Sequence, residues 1–592
     1  MSSITHFLAS IRSFLPFLFM LAGVMAIPSQ SRASKPDSES QRDEAFVLLD
    51  RLRSDASNIR MNAIMDIAKT GDLRMETVLE DYRIGNLYIY NDAIVTGGDI
   101  YEDDDLNKFV PLVDLRTRDG ILNQDGTPTL IPTGDLEQLS VTRRERRLIG
   151  KALYLLRLSS KDPEDRLAAA KKCGHTNNLV EAIGQLDEIA QDDPVKKIRY
   201  VAKESALLLR LSNPKEMKEQ QTRVSVIVEL GTMNSIRSLP KLETIEKAIT
   251  ESESEKTGEE LEVLAACRTA IENIDRHQRF VRFFENVYQG ISLGSVLIFM
   301  ALGLAITFGL MGVINMAHGE LMMIGAFATY EMQLMAMRLI DKGIIPESAY
   351  DWYYVAALPA SFLAAAFVGY ILELLVIRHL YRRPIESLLA TWGIGLILIQ
   401  IVRVHYGDNV GVNAPSWARG GVEIMQDITL PYGRTFIICL CAVSVAGIWL
   451  LMRKTRIGLL IRTTTQDRDM ANALGVDTYR IDRFTFALGS GIAGLAGYGW
   501  TLIGGVTPDM GQKNFIVDSF LIVVTGGVGE IAGVICAGLG VGIMTKVIEP
   551  MEIGQTTFGA IWAKVIVLAL IVAFIQFKPA GLFAPKGRLS DV

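Results

Sequence analysis

From Val287 onward, long apolar runs alternate with short polar loops, whereas Ser34 to about Arg282 intersperses charged and apolar residues at amphipathic spacing. The apolar runs fall at 287–312, 319–338, 354–377, 387–404, 435–452, 484–505, 514–525, 531–548 and 557–577. The seventh is too short to cross a bilayer as a straight helix. The pattern predicts an all-α protein: a polytopic transmembrane bundle of about eight or nine membrane segments over 283–592, behind a charged domain at 34–282.

Within the charged domain three stretches share Arg-x-x-Ala near a helix start: Arg60 with Ala63, Arg166 with Ala169, and Arg199 with Ala202. Asp162-Pro163 and Asp193-Pro194 precede the last two, and Asp-Pro is a good helix opening because Asp caps free N–H groups and proline at the first helical position loses none. Those two units are 33 residues apart, a period that resembles HEAT-type helical repeats and implies an α-solenoid. Between about 87 and 133, LYIYNDAIV and the turn signals GGD, RDG and QDGTP predict a small β insertion. Arg143 to Arg147 form either a docking patch or a solvated helix face.

The first residues add direction. Arg12, the apolar run Phe14–Ile27 and Ser31-Arg32-Ala33 read as a secretory signal at 1–33, cleaved after Ala26 or Ala33 or else kept as an anchor. Either way the charged domain is exported. The arginine count agrees: Arg378, Arg382 and Arg383, the cluster Arg453, Lys454, Arg456, Arg462, Arg468, Arg480 and Arg483, and Lys578, Lys586 and Arg588 fall on the cytoplasmic side of that topology. The expected topology is a multi-pass plasma-membrane protein with the N-terminal domain outside and the C-terminus in the cytoplasm.

Composition narrows the classes. Hydrophobic residues make up 49% of the chain, too many for an ordinary soluble protein, and a net charge of -6 without a basic stripe gives no reason to expect a nucleic-acid partner. Five scattered cysteines form no CxxC, so neither metal site nor disulfide framework is indicated, although Cys173 and Cys267 could pair in an oxidising compartment. No cofactor is expected. No HExxH, GxSxG or paired-Asp constellation stands in a membrane segment, and no Gly-x-x-x-x-Gly-Lys-Ser/Thr occurs anywhere. Gly290/Gly294, Gly529/Gly533, Gly538/Gly542 and the run Gly489 to Gly499 read as small-residue faces for close helix packing.

GLAITFGLMGVINMAHGELMMIGAFATY (Gly303–Tyr330) closely resembles the opening of the permease subunits of branched-chain amino acid ABC transporters and their urea-transporting relatives. The resemblance continues through LLATWGIGLILIQ, the stretch Thr455–Gly497, VVTGGVGEIAG and KPAGLFAPKGR, covering essentially the whole membrane half. The urea branch is the nearer likeness, because it carries an exported helical-repeat extension. The resemblance implies a urea importer whose partners are a homologous second permease, two cytoplasmic ATPase subunits and a periplasmic binding protein, with membrane lipid around the bundle. Branched-chain amino acids or short amides are the alternative cargo, and a membrane-anchored sensor is the alternative of another class.

Two sets of residues carry the candidate chemistry. In the loop 453–483, DRDMANALGVD places a short amphipathic helix with Met470, Ala473 and Leu474 on one side and Gly475 as its stop. The family resemblance makes Asp467, Arg468, Met470, Ala473, Leu474, Gly475 and Asp477 an ATPase coupling element. Asn315, His318 and Glu320, in the break after the first apolar run, either line a substrate path or cap half-helices at the inner surface. Thr391, Trp392 and Gln400 on the fourth segment and Asn514 and Asp518 on the seventh are further path candidates. Lys564 is expected to snorkel or to pair with Glu549 or Glu552. GGVGEIAG lacks the phosphate-loop lysine and reads as a turn.

Overall fold

The computed structural model describes residues 45–98, 101–102, 108–121, 129–132, 136–176, 179–213, 220–251, 257–381, 383–425, 428–553, 556–557, 559–579 and 581–583. The signal segment and Arg382, Lys586 and Arg588 lie outside these residues. The chain divides into two compact units, Met1–Ile274 and Asp275–Val592.

In the first unit, α1 (Ser57–Lys69) and α2 (Arg74–Ile84) precede a sheet, and α3 (Arg143–Arg157), α4 (Pro163–His175), α5 (Ala182–Asp192), α6 (Lys196–Leu211), α7 (Gln220–Thr232) and α8 (Leu239–Thr250) follow it. α1 and α2 pack on α3, and α4 and α5 on α6. Their apolar faces bury Ile64, Ile67, Val78, Leu79, Ile149 and Leu156.

Antiparallel strands β1 (Leu87–Tyr90), β2 (Ala93–Gly97), β3 (Tyr101–Glu102), β4 (Lys108–Asp114), β5 (Leu130–Pro132) and β6 (Glu137–Gln138) run in the order β3-β4-β2-β1-β6, with β5 on β4. Asn91 and Asp92 turn β1 into β2 at φ 48 and 65, a two-residue turn of the kind that matches strand twist. The sheet reaches five residues beyond the expected end at Thr133, because β6 returns to pair with β1.

The Arg-x-x-Ala stretches share one device. Each guanidinium folds back over its own helix start onto the carbonyl six residues earlier: Arg60 to Ser54 (2.7 Å), Arg166 to Ser160 (2.8 Å) and Arg199 to Asp193 (2.7 Å). Ala63, Ala169 and Ala202 are buried in each case, so the repeated sequence encodes a repeated cap. Arg60 also meets Glu145 at 2.9 Å, and Arg166 meets Asp193 at 2.8 Å. Cys173 and Cys267 are both free, and they belong to separate apolar cores, which corrects the possible pairing.

The second unit is helical throughout its apolar runs: α9 (Gly258–Met311, within which the unit boundary falls), α10 (His318–Asp341), α11 (Trp352–Leu375), α12 (Pro384–Tyr406), α13 (Tyr432–Lys454), α14 (Arg456–Gln466), α15 (Arg468–Ala473), α16 (Thr478–Trp500), α17 (Ile516–Gly526), α18 (Ile531–Ile548) and α19 (Gly559–Phe577). Among the described residues six helices, α9, α11, α12, α13, α18 and α19, are long and apolar enough to cross a membrane. α10 and α16 carry too many polar residues for that measure, and α17 has 11 residues.

α16 packs against both α10 and α11. A Cβ on Gly497 would overlap the Met322 carbonyl, and one on Gly494 would come within 2.5 Å of Ser361 O, so glycine permits backbone-to-backbone contact on two sides. Gly290 and Gly294 likewise meet the α18 backbone at Ile543 and Gly538. Gly529 is not helical, although its backbone lies against Gly309 of α9, where a Cβ would stand 3.0 Å from Gly529 Cα. It stands in the turn before α18 at φ +84, with open space around its Cβ direction.

Candidate functional site

The break between α9 and α10 is a re-entrant one. His318 Nε2 lies 3.1 Å from Met300 O, about midway along the apolar run of α9. From Met300 to Met311 the helix descends roughly 16 Å, and the six residues from Gly312 to Ala317 can climb back at most about 20 Å. α10 therefore starts beside the middle of the apolar run of α9. Gly312 supplies the reversal at φ +63.

Thr391 of α12 steadies the break: its hydroxyl accepts from Met316 N (3.0 Å) and donates to Ser387 O (2.8 Å). Asn315 Oδ1 accepts from Ala317 N at 3.0 Å. Glu320 places its carboxyl against Gly395, where a Cβ would stand 3.0 Å from it. Asn315, His318 and Glu320 are all buried, yet Asn315 Nδ2, His318 Nδ1 and Glu320 Oε2 have no hydrogen-bond partner among the described residues.

The fold brings some candidates together and separates others. Met316 and Glu320 meet Thr391 and Gly395 on one face of α12, whereas His318 turns to α9. Trp392 and Gln400 are exposed on the other side of α12 and do not join the cluster. Asn514 lies in a π-helical turn, Gly511–Phe515, whose Gly511 abuts Gly319 at the start of α10. Lys564 donates to Asn514 O (3.2 Å) and sits 4.0 Å from Asp518, not beside Glu549, which pairs with Lys546.

In the loop 453–483, Asp467 caps α15 by accepting from Met470 N (2.9 Å), and Gly475 stops it at φ +85. Asp477 then caps α16 at Arg480 N. Met470 (58% exposed) and Leu474 (76%) leave an apolar edge uncovered, with Ala473 between them. Arg468 faces inward, pairing with Asp482 and stacking 4.5 Å from the centre of the Tyr381 ring. Tyr381 donates to Glu373 at 3.0 Å. Burial, with the Asp482 and Glu373 charges beside it, pushes the Tyr381 phenol well up, so it remains a donor. Sequence reading missed Glu373, Tyr381 and Asp482; two acidic residues at the ends of apolar runs were the available signal.

Glycine-packed apolar helices around a broken segment are an arrangement found in polytopic membrane proteins, transporters among them. Residues 286–575 match the family described as branched-chain amino acid transport system / permease component. The chain is 26% identical over 307 residues to the high-affinity branched-chain amino acid transport system permease protein BraD of Pseudomonas aeruginosa, covering 51% of this chain and 95% of the relative. It is 27% identical over 319 residues to LivH of Escherichia coli K12, named likewise, covering 52% and 96%. A probable branched-chain amino acid transport permease protein LivH of Methanocaldococcus jannaschii is 26% identical over 300 residues, covering 49% and 88%. No solved structure matches.

Proposed function

We propose that the protein is the permease subunit of an ABC importer for branched-chain amino acids, forming half of a translocation path whose other half and whose ATPases are separate chains. The family match over 286–575 carries this reading. The exposed edge of Met470, Ala473 and Leu474 supports it, since an apolar patch on a capped helix outside the apolar runs suits docking to an ATPase. An external binding protein would deliver the solute.

Urea is the second cargo, favoured by one observation. The relatives lie almost wholly within about half of this chain, so the first unit is an addition to them, and that addition is what resembles the urea branch. Uptake of labelled leucine and labelled urea in a deletion strain separates the two: loss of leucine uptake alone supports the first, loss of urea uptake alone the second. Co-purification with ATPase subunits, abolished by Met470→Asp, tests the docking edge. A chain that captures no ATPase would favour a sensor. Removing 45–275 behind an intact export signal is expected to weaken binding-protein association; normal transport would refute a required role.

A further inference from the structure

Three polar side chains near the start of α10 are buried to 2% exposure or less, and each keeps one polar atom without a partner among the described residues. Lipid cannot supply partners at this depth, and buried polar atoms are nearly always satisfied. The shortage does not depend on ionisation. As a carboxylate Glu320 Oε2 lacks a donor, and as a carboxylic acid its O–H lacks an acceptor. Asn315 has its oxygen engaged by Ala317 N and both amide protons unmet.

Geometry groups two of the three. Thr391 and Gly395 are one turn apart on α12, and they touch Met316 and Glu320, so the Glu320 carboxyl lies roughly 6 Å along from the backbone beside Asn315. His318 turns instead to α9, where its Nε2 lies 3.1 Å from Met300 O. The π-helical turn also meets the first turn of α10 here, in contact through Gly511 and Gly319. Helix interruptions at mid-depth persist where they are buried in protein or serve a solute path.

We propose that the start of α10 is a solute-binding site in which Glu320 Oε2 accepts from the N–H-bearing head of a small solute while Asn315 Nδ2 donates to an oxygen beside that head. The inference rests on the permease reading. The ligand class is a small molecule with an ammonium or carboxamide nitrogen next to a carboxylate or carbonyl oxygen, which an amino acid and urea both offer. Gly395 belongs to the site because a side chain there would take the space of the carboxyl.

The test uses the complete transporter in vesicles, with labelled leucine and labelled urea as probes and ATPase co-purification as the measure of assembly. Asn315→Asp keeps the oxygen that caps Ala317 and replaces the free donor with an acceptor oxygen; Glu320→Gln is isosteric and neutral. Each is expected to assemble and to raise KM for the carried solute about tenfold or more, as loss of one hydrogen bond to a polar or charged group does. For an ammonium solute Glu320→Gln exceeds Asn315→Asp; for urea the two are similar, because the carboxamide retains an acceptor. Gly395→Ala is expected to raise KM by a smaller factor. Assembled Asn315→Asp and Glu320→Gln transporters with KM within about twofold of wild type would overturn the site, the hydrogen-bond loss then being too small. A wild-type chain that neither captures ATPase nor supports uptake of either solute would instead remove the permease reading, and the site with it.

Discussion

The two units hold their helices together in opposite ways. In the first, buried charge fixes helix starts: Glu145, fully buried, gathers Arg60, Ser57 and the Thr142 N–H, and Glu204 gathers Arg237 and Ser235. In the second, glycine lets backbone touch backbone, at Gly497 on Met322, Gly325 on Gly494 and Gly290 on Ile543. The difference follows from solvent. In water the burial of Ile64, Leu79 and Leu156 supplies the drive, and paired charges set the register. In lipid no hydrophobic drive distinguishes neighbour from solvent, so close van der Waals contact between small residues does the joining.

The comparison breaks first, and hardest, at Gly497. Gly497→Val forces a branched side chain into the Met322 carbonyl, an overpacking cost expected to exceed about 3 kcal/mol. The detergent-extracted variant should give no monodisperse peak; a normal yield would show that glycine contact is dispensable in this bundle. Next is Glu145→Ala, which leaves Arg60 buried and unpaired at a cost of about 3–5 kcal/mol. Thermal unfolding of the purified chain reads it, and Arg60→Met with Glu145→Leu should cost less than the single change if the penalty is the orphaned charge.

A smaller effect comes with pH. Burial pushes the Glu145 carboxyl up, but hydrogen bonds from Thr142, Arg60 and Ser57 outweigh it and hold the group below its ordinary value. A depressed carboxyl contributes its full stability above the unfolded value, about 4.3, and loses it as pH falls through the lower folded value. The unfolding midpoint should therefore drop below about pH 4.3 more steeply in wild type than in Glu145→Gln; parallel curves would dissolve the claim. Smallest is Gly150→Ala in α3, where open space surrounds the added Cβ. It should stabilise the first unit by about 0.5–1 kcal/mol, the reverse of a replacement at Gly494 or Gly497 in α16.

Legibility followed the same divide. The Arg-x-x-Ala period was visible in sequence because each guanidinium acts on its own helix start, a local event. Glu145 as the partner of Arg60 was not, since the two are 85 positions apart. In the membrane unit each of the nine apolar runs contains helix, and Met470 and Gly475 line and stop α15 where local patterning placed them. Gly529 misled, because a four-residue spacing says nothing of whether both glycines are helical. Lys564 found Asn514 and Asp518 because the π-helical turn carries them toward α19.

Sequence alone determined that long apolar runs fill one half of this chain and a charged, amphipathic pattern the other, and that a break holding Asn315, His318 and Glu320 follows the first run. Periodicity and capping act within a few residues, so the chain records them directly. Only the tertiary structure decided that α10 begins beside the middle of the apolar run of α9, that Glu320 turns to Gly395 while His318 turns to Met300, and that Trp392 and Gln400 face away. Those outcomes depend on how far the chain climbs after Gly312 and on which helix supplies a side chain small enough to admit a carboxyl. Both are properties of packed neighbours distant in sequence, and no local pattern encodes them.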